Sequence, residues 1–335
     1  MRALAVEGRA LALRDGPDPV PAAGELLVEA VALGICATDR EIVADGRVEG
    51  LILGHESLGR VAGTGELVVG RVRHPDPEPC GACARGQQDM CRNGGYTERG
   101  IRGLDGFGST LWTSHFLDVT HLAPELGRDD IGVLVEPCSI AVKAWEQVRR
   151  IGARAWFEPG TVLVTGAGPI GQLAALLCRQ FELDVHVLDR HAGGVKARLV
   201  RELGATYHHD PADEVLRRLR PDVVIETTGD PGVVLAALTG TAAFGVVCLT
   251  GVPRDGRDLT FDAAAAAREL VLRNVAVVGS VNAGEAHYAE AAAALQAADP
   301  DWLAGLITRR VPLARAAAEA LEPPGPDDVK TIVTF

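Results

Sequence analysis

A chain of 335 residues is long enough for about two domains of ordinary size. At 47% hydrophobic and 23% charged, with no apolar run near the roughly 20 residues of a spanning helix, the composition excludes a membrane-embedded or disordered protein. Asp and Glu outnumber Lys and Arg 45 to 33, and the net charge of −12 repels phosphate backbones, which argues against nucleic acid as a partner.

The N-terminus never builds the apolar stretch of a secretory signal, so cytoplasmic residence is the expectation. Seven cysteines, an odd number in a long chain, point to metal or thiol roles and away from a disulfide framework. Only Lys143, Lys196 and Lys330 are lysines, a bias assigned to base composition.

In chain order, residues 1–140 carry short β-like runs, such as 25–32, with frequent Gly and Pro and little helical periodicity, which predicts an irregular, mainly β domain. The segment 72–79, rich in proline and charge, predicts a surface loop. From 161 onward apolar strands alternate with Ala-, Leu- and Arg-rich helices. Strands are expected at 161–165, 184–188, 206–208, 222–226, 244–250 and 275–280, the pattern of a parallel α/β sheet. An alanine-rich stretch and a terminal strand at 330–335 return to the first domain. The expected division is 1–140, 141–281 and 282–335.

Gly166-Ala167-Gly168-Pro169-Ile170-Gly171 follows a strand and opens a helix at 173–181. In that context Gly166 permits a tight turn, Gly168 lets the backbone approach a pyrophosphate, and Gly171 allows close packing of helix on strand. The helix N-terminus faces the phosphates. This is the fingerprint of a Rossmann doubly wound sheet with strand order 3-2-1-4-5-6. Asp189, about 20 residues on, suits the ribose hydroxyls and favours NAD, while Arg190 and His191 leave NADP open.

Cys36, in Gly34-Ile35-Cys36-Ala37-Thr38-Asp39, His55, in Gly54-His55-Glu56, and Glu136, in Val135-Glu136-Pro137, are a thiolate, an imidazole and a carboxylate. All are good ligands for Zn²⁺, and three protein ligands leave a fourth position for water or substrate. Cys138, Cys178 and Cys248 sit in apolar contexts and are expected in the core.

This succession of motifs resembles the medium-chain zinc-dependent dehydrogenases over essentially the whole chain. Tyr96-Thr97-Glu98-Arg99-Gly100-Ile101, Asp105-Gly106-Phe107-Gly108 and Val281-Asn282-Ala283 with His287 resemble their glucose dehydrogenase branch. The resemblance implies a GroES-like catalytic domain beside the Rossmann domain, the active site between them, and a homo-oligomer. It implies that Cys36, His55 and Glu136 hold a catalytic zinc with Glu56 as a transient ligand. Thr38 would relay the substrate proton through the cofactor ribose; Glu41 stands where alcohol dehydrogenases continue the path with histidine. Glu98 and His287 would bind a polyhydroxylated substrate, and Asn282 would lie by the nicotinamide or the sugar. The family's lobe loop usually carries four cysteines around a structural zinc. Here Cys80, Cys83 and Cys91 match, Pro77 replaces the first, and Asp76, Glu78 or His74 is the candidate fourth ligand, with Asp76 foremost.

The implied activity is hydride transfer between a sugar or polyol hydroxyl and NAD(P). A dehydrogenase of a cyclitol, amino sugar or other biosynthetic intermediate is the nearest alternative, and a catalytically silent NAD(H)-binding protein is the alternative from another class.

Overall fold

The computed structural model describes residues 1–253 and 260–335. The chain forms two compact units, Met1–Ser139 with Asn282–Phe335, and Ile140–Val281.

The first unit is built on a seven-stranded, mostly antiparallel sheet. Its long central strand, Glu25–Ile35, pairs with Glu56–Val61 on one side and with the C-terminal strand Lys330–Thr334 on the other. Val28, Leu33, Val68, Phe107, Trp112 and Val333 fill the core beneath it. Because Thr331 lies opposite Ile35, the last strand brings Lys330 to the end of the strand that leads into Cys36. The helix Ala37–Asp45 starts directly after Cys36, where the Asp39 carboxylate accepts the Cys36 backbone N–H at 2.7 Å and so caps the first turn.

The segment 72–79 is only in part the surface loop that its composition predicts: Pro75 and residues 77–79 are exposed and irregular. Arg73–His74 is a short strand paired with Thr97–Arg99, and Val72 and Asp76 are buried. Arg73, His74 and Asp76 find internal partners, which composition cannot reveal.

The second unit is a six-stranded parallel sheet. Its strands run in the spatial order Thr206–His208, Asp184–Leu188, Thr161–Thr165, Val223–Glu226, Val246–Leu249, Ala276–Gly279, the 3-2-1-4-5-6 arrangement of a doubly wound fold. Leu163, Val224 and Val247 pack against Val215 and Leu216 of a flanking helix. Cys138, Cys178 and Cys248 are buried. Among the described residues, no helix is long and apolar enough to cross a membrane.

Candidate active site

Two sequence-distant turns meet at the candidate metal centre. Cys36 ends the central strand and His55 follows Gly54, whose backbone φ of 99° favours glycine. A Cβ on Gly100 would stand 2.6 Å from the Gly54 carbonyl oxygen, so the loop beyond Glu98 rests backbone to backbone on the His55 turn. One donor atom each from Cys36, His55 and Glu56 lie within 4.8 Å of one another. The Thr38 hydroxyl is 3.9 Å from Cys36 Sγ.

His55 is buried, with Nδ1 3.2 Å from Asp39, which leaves Nε2 as the nitrogen for a metal. Burial alone would lower the His55 pKa, but the charges of Asp39 and Cys36 hold it well above the usual imidazole value. Glu56 is pinned by the buried Lys330, whose Nζ donates to both carboxylate oxygens at 2.7 and 2.5 Å. Glu136, in the first turn of the helix Val135–Gly152, stands outside the tight group of three. It is buried, and the charge of His55 is felt at its carboxylate. Burial, with Glu56 and Asp39 adding to it against His55 and Lys330, pushes its carboxyl up to about 7. A half-buried thiol, a buried imidazole and a buried carboxylate are a donor set that Zn²⁺ satisfies.

At the lobe, the sulfurs of Cys80, Cys83 and Cys91 lie within 4.8 Å of one another. The Arg92 backbone N–H donates to Cys80 Sγ at 3.3 Å and heads the causes that pull this thiol down to about 6, toward the thiolate that metals bind. Asp76 does not join the group. Its two oxygens accept the backbone N–H groups of Glu78 at 2.9 Å and Gly95 at 3.1 Å, so it ties the loop together. His74 faces Asp118 instead, at 3.4 Å.

In the second unit Gly166 has φ of 93°, and a Cβ on Gly171 would stand 1.8 Å from the Gly166 carbonyl oxygen, so both positions require glycine. Gly168 precedes the helix Pro169–Gln180, whose first residues Pro169 and Ile170 open it, and nothing would meet a Cβ at Gly168: that side is open. Asp189 accepts the Ala167 N–H at 2.8 Å and the His191 N–H at 3.3 Å, bracing the glycine turn. Arg190 is exposed and touches His191.

Glu98 is buried and accepts a 2.7 Å hydrogen bond from Asn282, whose φ of 63° is one asparagine tolerates. His287 Nδ1 accepts the Gly284 N–H at 2.9 Å at the start of the helix Glu285–Gln296, which places the proton of the neutral ring on Nε2.

Residues 22–118 match the alcohol dehydrogenase GroES-like domain family and residues 129–335 the glucose dehydrogenase C-terminus family. The chain is 39% identical to a glucose 1-dehydrogenase of Thermoproteus tenax, covering 91% of this chain and 90% of that protein. It is 36% identical to the glucose 1-dehydrogenase of Halobacterium salinarum, over 96% and 95% of the two. The chain belongs to the glucose dehydrogenase branch of the medium-chain zinc dehydrogenases. Glucose dehydrogenase of Haloferax mediterranei, solved in complex with NADP, Zn and gluconolactone, superposes with a TM-score of 0.91 at 31% identity, over 100% of this chain and 99% of that one. The protein is accordingly a zinc- and NAD(P)-dependent oxidoreductase acting on a CH–OH group.

Within this dehydrogenase two neighbours of the site escape a reading of motifs. Asp39 lies inside the Cys36 motif but reads there as a helix-start acid; Lys330 is 274 positions from Glu56, beyond any spacing rule.

Proposed function

We propose that this dehydrogenase oxidises a ring hydroxyl of a neutral, glucose-like sugar, with NAD as the favoured acceptor and NADP accepted. The observation that carries the reading is the convergence of Cys36, His55 and Glu56 with the buried Glu136 carboxylate that feels the charge of His55, in a chain whose relatives are glucose 1-dehydrogenases. Cys36, His55 and Glu136 would hold the catalytic zinc. Glu56 is the poorer third ligand, because Lys330 already neutralises it. When bound, the zinc acidifies a hydroxyl and NAD(P) accepts a hydride. Thr38 would relay the proton of the reacting hydroxyl, passing its own on toward the cofactor ribose as it accepts, Glu98 accepts a hydrogen bond from a second hydroxyl, and His287 Nε2 and Asn282 complete the polar wall. Such groups penalise an analogue that lacks a hydroxyl, since a buried polar atom would then be unpaired.

Asp189 disfavours a 2′-phosphate and the adjacent Arg190 attracts one, the basis for dual acceptance. Cys80, Cys83 and Cys91 would hold a structural zinc with a fourth ligand other than Asp76. Copies of the chain associate through the Ala276–Gly279 edge of the parallel sheet.

The test follows reduced-cofactor absorbance with aldohexoses, cyclitols and simple alcohols, using NAD and NADP. Turnover of an aldohexose is expected, and turnover of no polyhydroxylated substrate overturns the assignment. A Cys36→Ser variant that keeps full activity overturns the role of zinc.

A further inference from the structure

Glu98 and Arg73 are direct cross-strand partners in the pairing of Arg73–His74 with Thr97–Arg99, so their side chains rise from the same face. Arg73 Nε and Nη2 both donate to Glu98 Oε1, at 3.0 and 2.9 Å, and Asn282 Nδ2 adds a third donor to that same oxygen at 2.7 Å. Arg73 Nη1 donates to the Asp89 carbonyl at 3.1 Å, and the guanidinium carbon lies 3.8 Å from the centroid of the Tyr96 ring. The arginine side chain is only 7% exposed. Three donors therefore saturate one oxygen of Glu98, while Oε2 accepts no hydrogen bond among the described residues.

We propose that Arg73 is a positioning residue for substrate specificity: it locks Glu98 so that Oε2 alone is presented to a hydroxyl of a neutral polyol. A paired carboxylate stays an acceptor, which selects a donor group on the substrate. The guanidinium, with three of its five N–H donors committed, its charge paired with Glu98 and one face covered by Tyr96, is a poor cation for a phosphate or carboxylate. A phosphorylated or acidic sugar would meet the Glu98 carboxylate without compensation from Arg73. The inference rests on the reading of Glu98 as a sugar-binding group.

The experiment uses the zinc-loaded enzyme with glucose and glucose 6-phosphate as probes and compares Arg73→Gln, Arg73→Lys, Glu98→Gln and the double variant Arg73→Gln/Glu98→Gln. Arg73→Gln is expected to raise KM for glucose by about tenfold or more with little change in kcat, the pattern of lost uniform binding. Zinc content and NADH affinity should stay unchanged, Arg73→Lys should recover part of the loss, and the double variant should be no worse than Glu98→Gln alone. Additive effects, loss of zinc in Arg73→Gln, or equal use of glucose 6-phosphate by the parent enzyme overturns the proposal. If Glu98→Gln raises KM and Arg73→Gln does not, this inference alone fails. If Glu98→Gln leaves KM unchanged, the sugar-subsite reading fails and takes this one with it.

Discussion

Asp39 caps a helix with one oxygen and faces His55 with the other. An acid in that second position fixes the imidazole tautomer and raises its basicity as a ligand, and losing such a partner typically weakens a metal site about 10–100-fold. Asp39→Ala should loosen zinc to that extent, measured by competition with a chromophoric chelator; unchanged affinity would reduce Asp39 to a helix cap. Cys36, His55 and Glu136 stand out in the sequence as candidate ligands because each sits in a short motif. Asp76 shows the limit of spacing. It is close to the three cysteines in sequence, yet an aspartate in a proline-rich loop is easily captured by backbone N–H groups two residues on, as here by Glu78. Arg73 reads as surface charge until its strand partner is known.

The turn at Gly166 and the helix after it would form the phosphate cradle of the parallel-sheet unit. A methyl at Gly171 would press into the Gly166 carbonyl, and since backbone cannot swing aside as a side chain does, the turn must open. Gly171→Ala should weaken NADH binding by about tenfold or more while zinc content stays constant, as read by fluorescence titration and metal analysis. At the opposite edge of this sheet, His186 Nδ1 and His208 Nε2 are 2.8 Å apart, with Asp184 on His186 and Arg218 on His208. Burial, then the charges of His186 and Arg218, lower the His208 pKa, against Asp210 and with His209. The unfolded chain therefore takes up this proton first. Stability is full above the unfolded histidine value of about 6.5 and falls as pH drops below it. His208→Gln should flatten that acid limb in denaturant unfolding of the protein between about pH 5 and 7, and an identical limb would exclude His208 as its source. The strands here were readable to within two residues, because central parallel strands, buried on both faces, are unbroken apolar runs. The antiparallel strands of the first unit, broken by Gly and Pro and paired over long distances, left their partners unreadable.

At the scale of the molecule, the parallel sheet has two unlike edges. Thr206–His208 is three residues long and flanked by His, Asp and Arg, features that discourage edge pairing. Ala276–Gly279 has no strand among the described residues on its outer side and exposes Val277, near exposed Val271 and Leu272 of the helix Ala263–Arg273. An apolar strand edge matches a second copy of itself in antiparallel pairing about a two-fold axis. Val277→Asp should convert the assembly to monomer in light scattering; a parent protein that is already monomeric would overturn the proposed contact.

The strand Lys330–Thr334 lies beside the strand that ends at Cys36 and carries the lysine that grips Glu56. During translation, then, Glu56 emerges 274 residues ahead of the lysine that grips it. The whole parallel sheet leaves the ribosome before that lysine does. A nascent chain stalled short of Lys330 would hold every strand of its parallel sheet while Glu56 still lacked its counter-charge and the strand leading to Cys36 its neighbour.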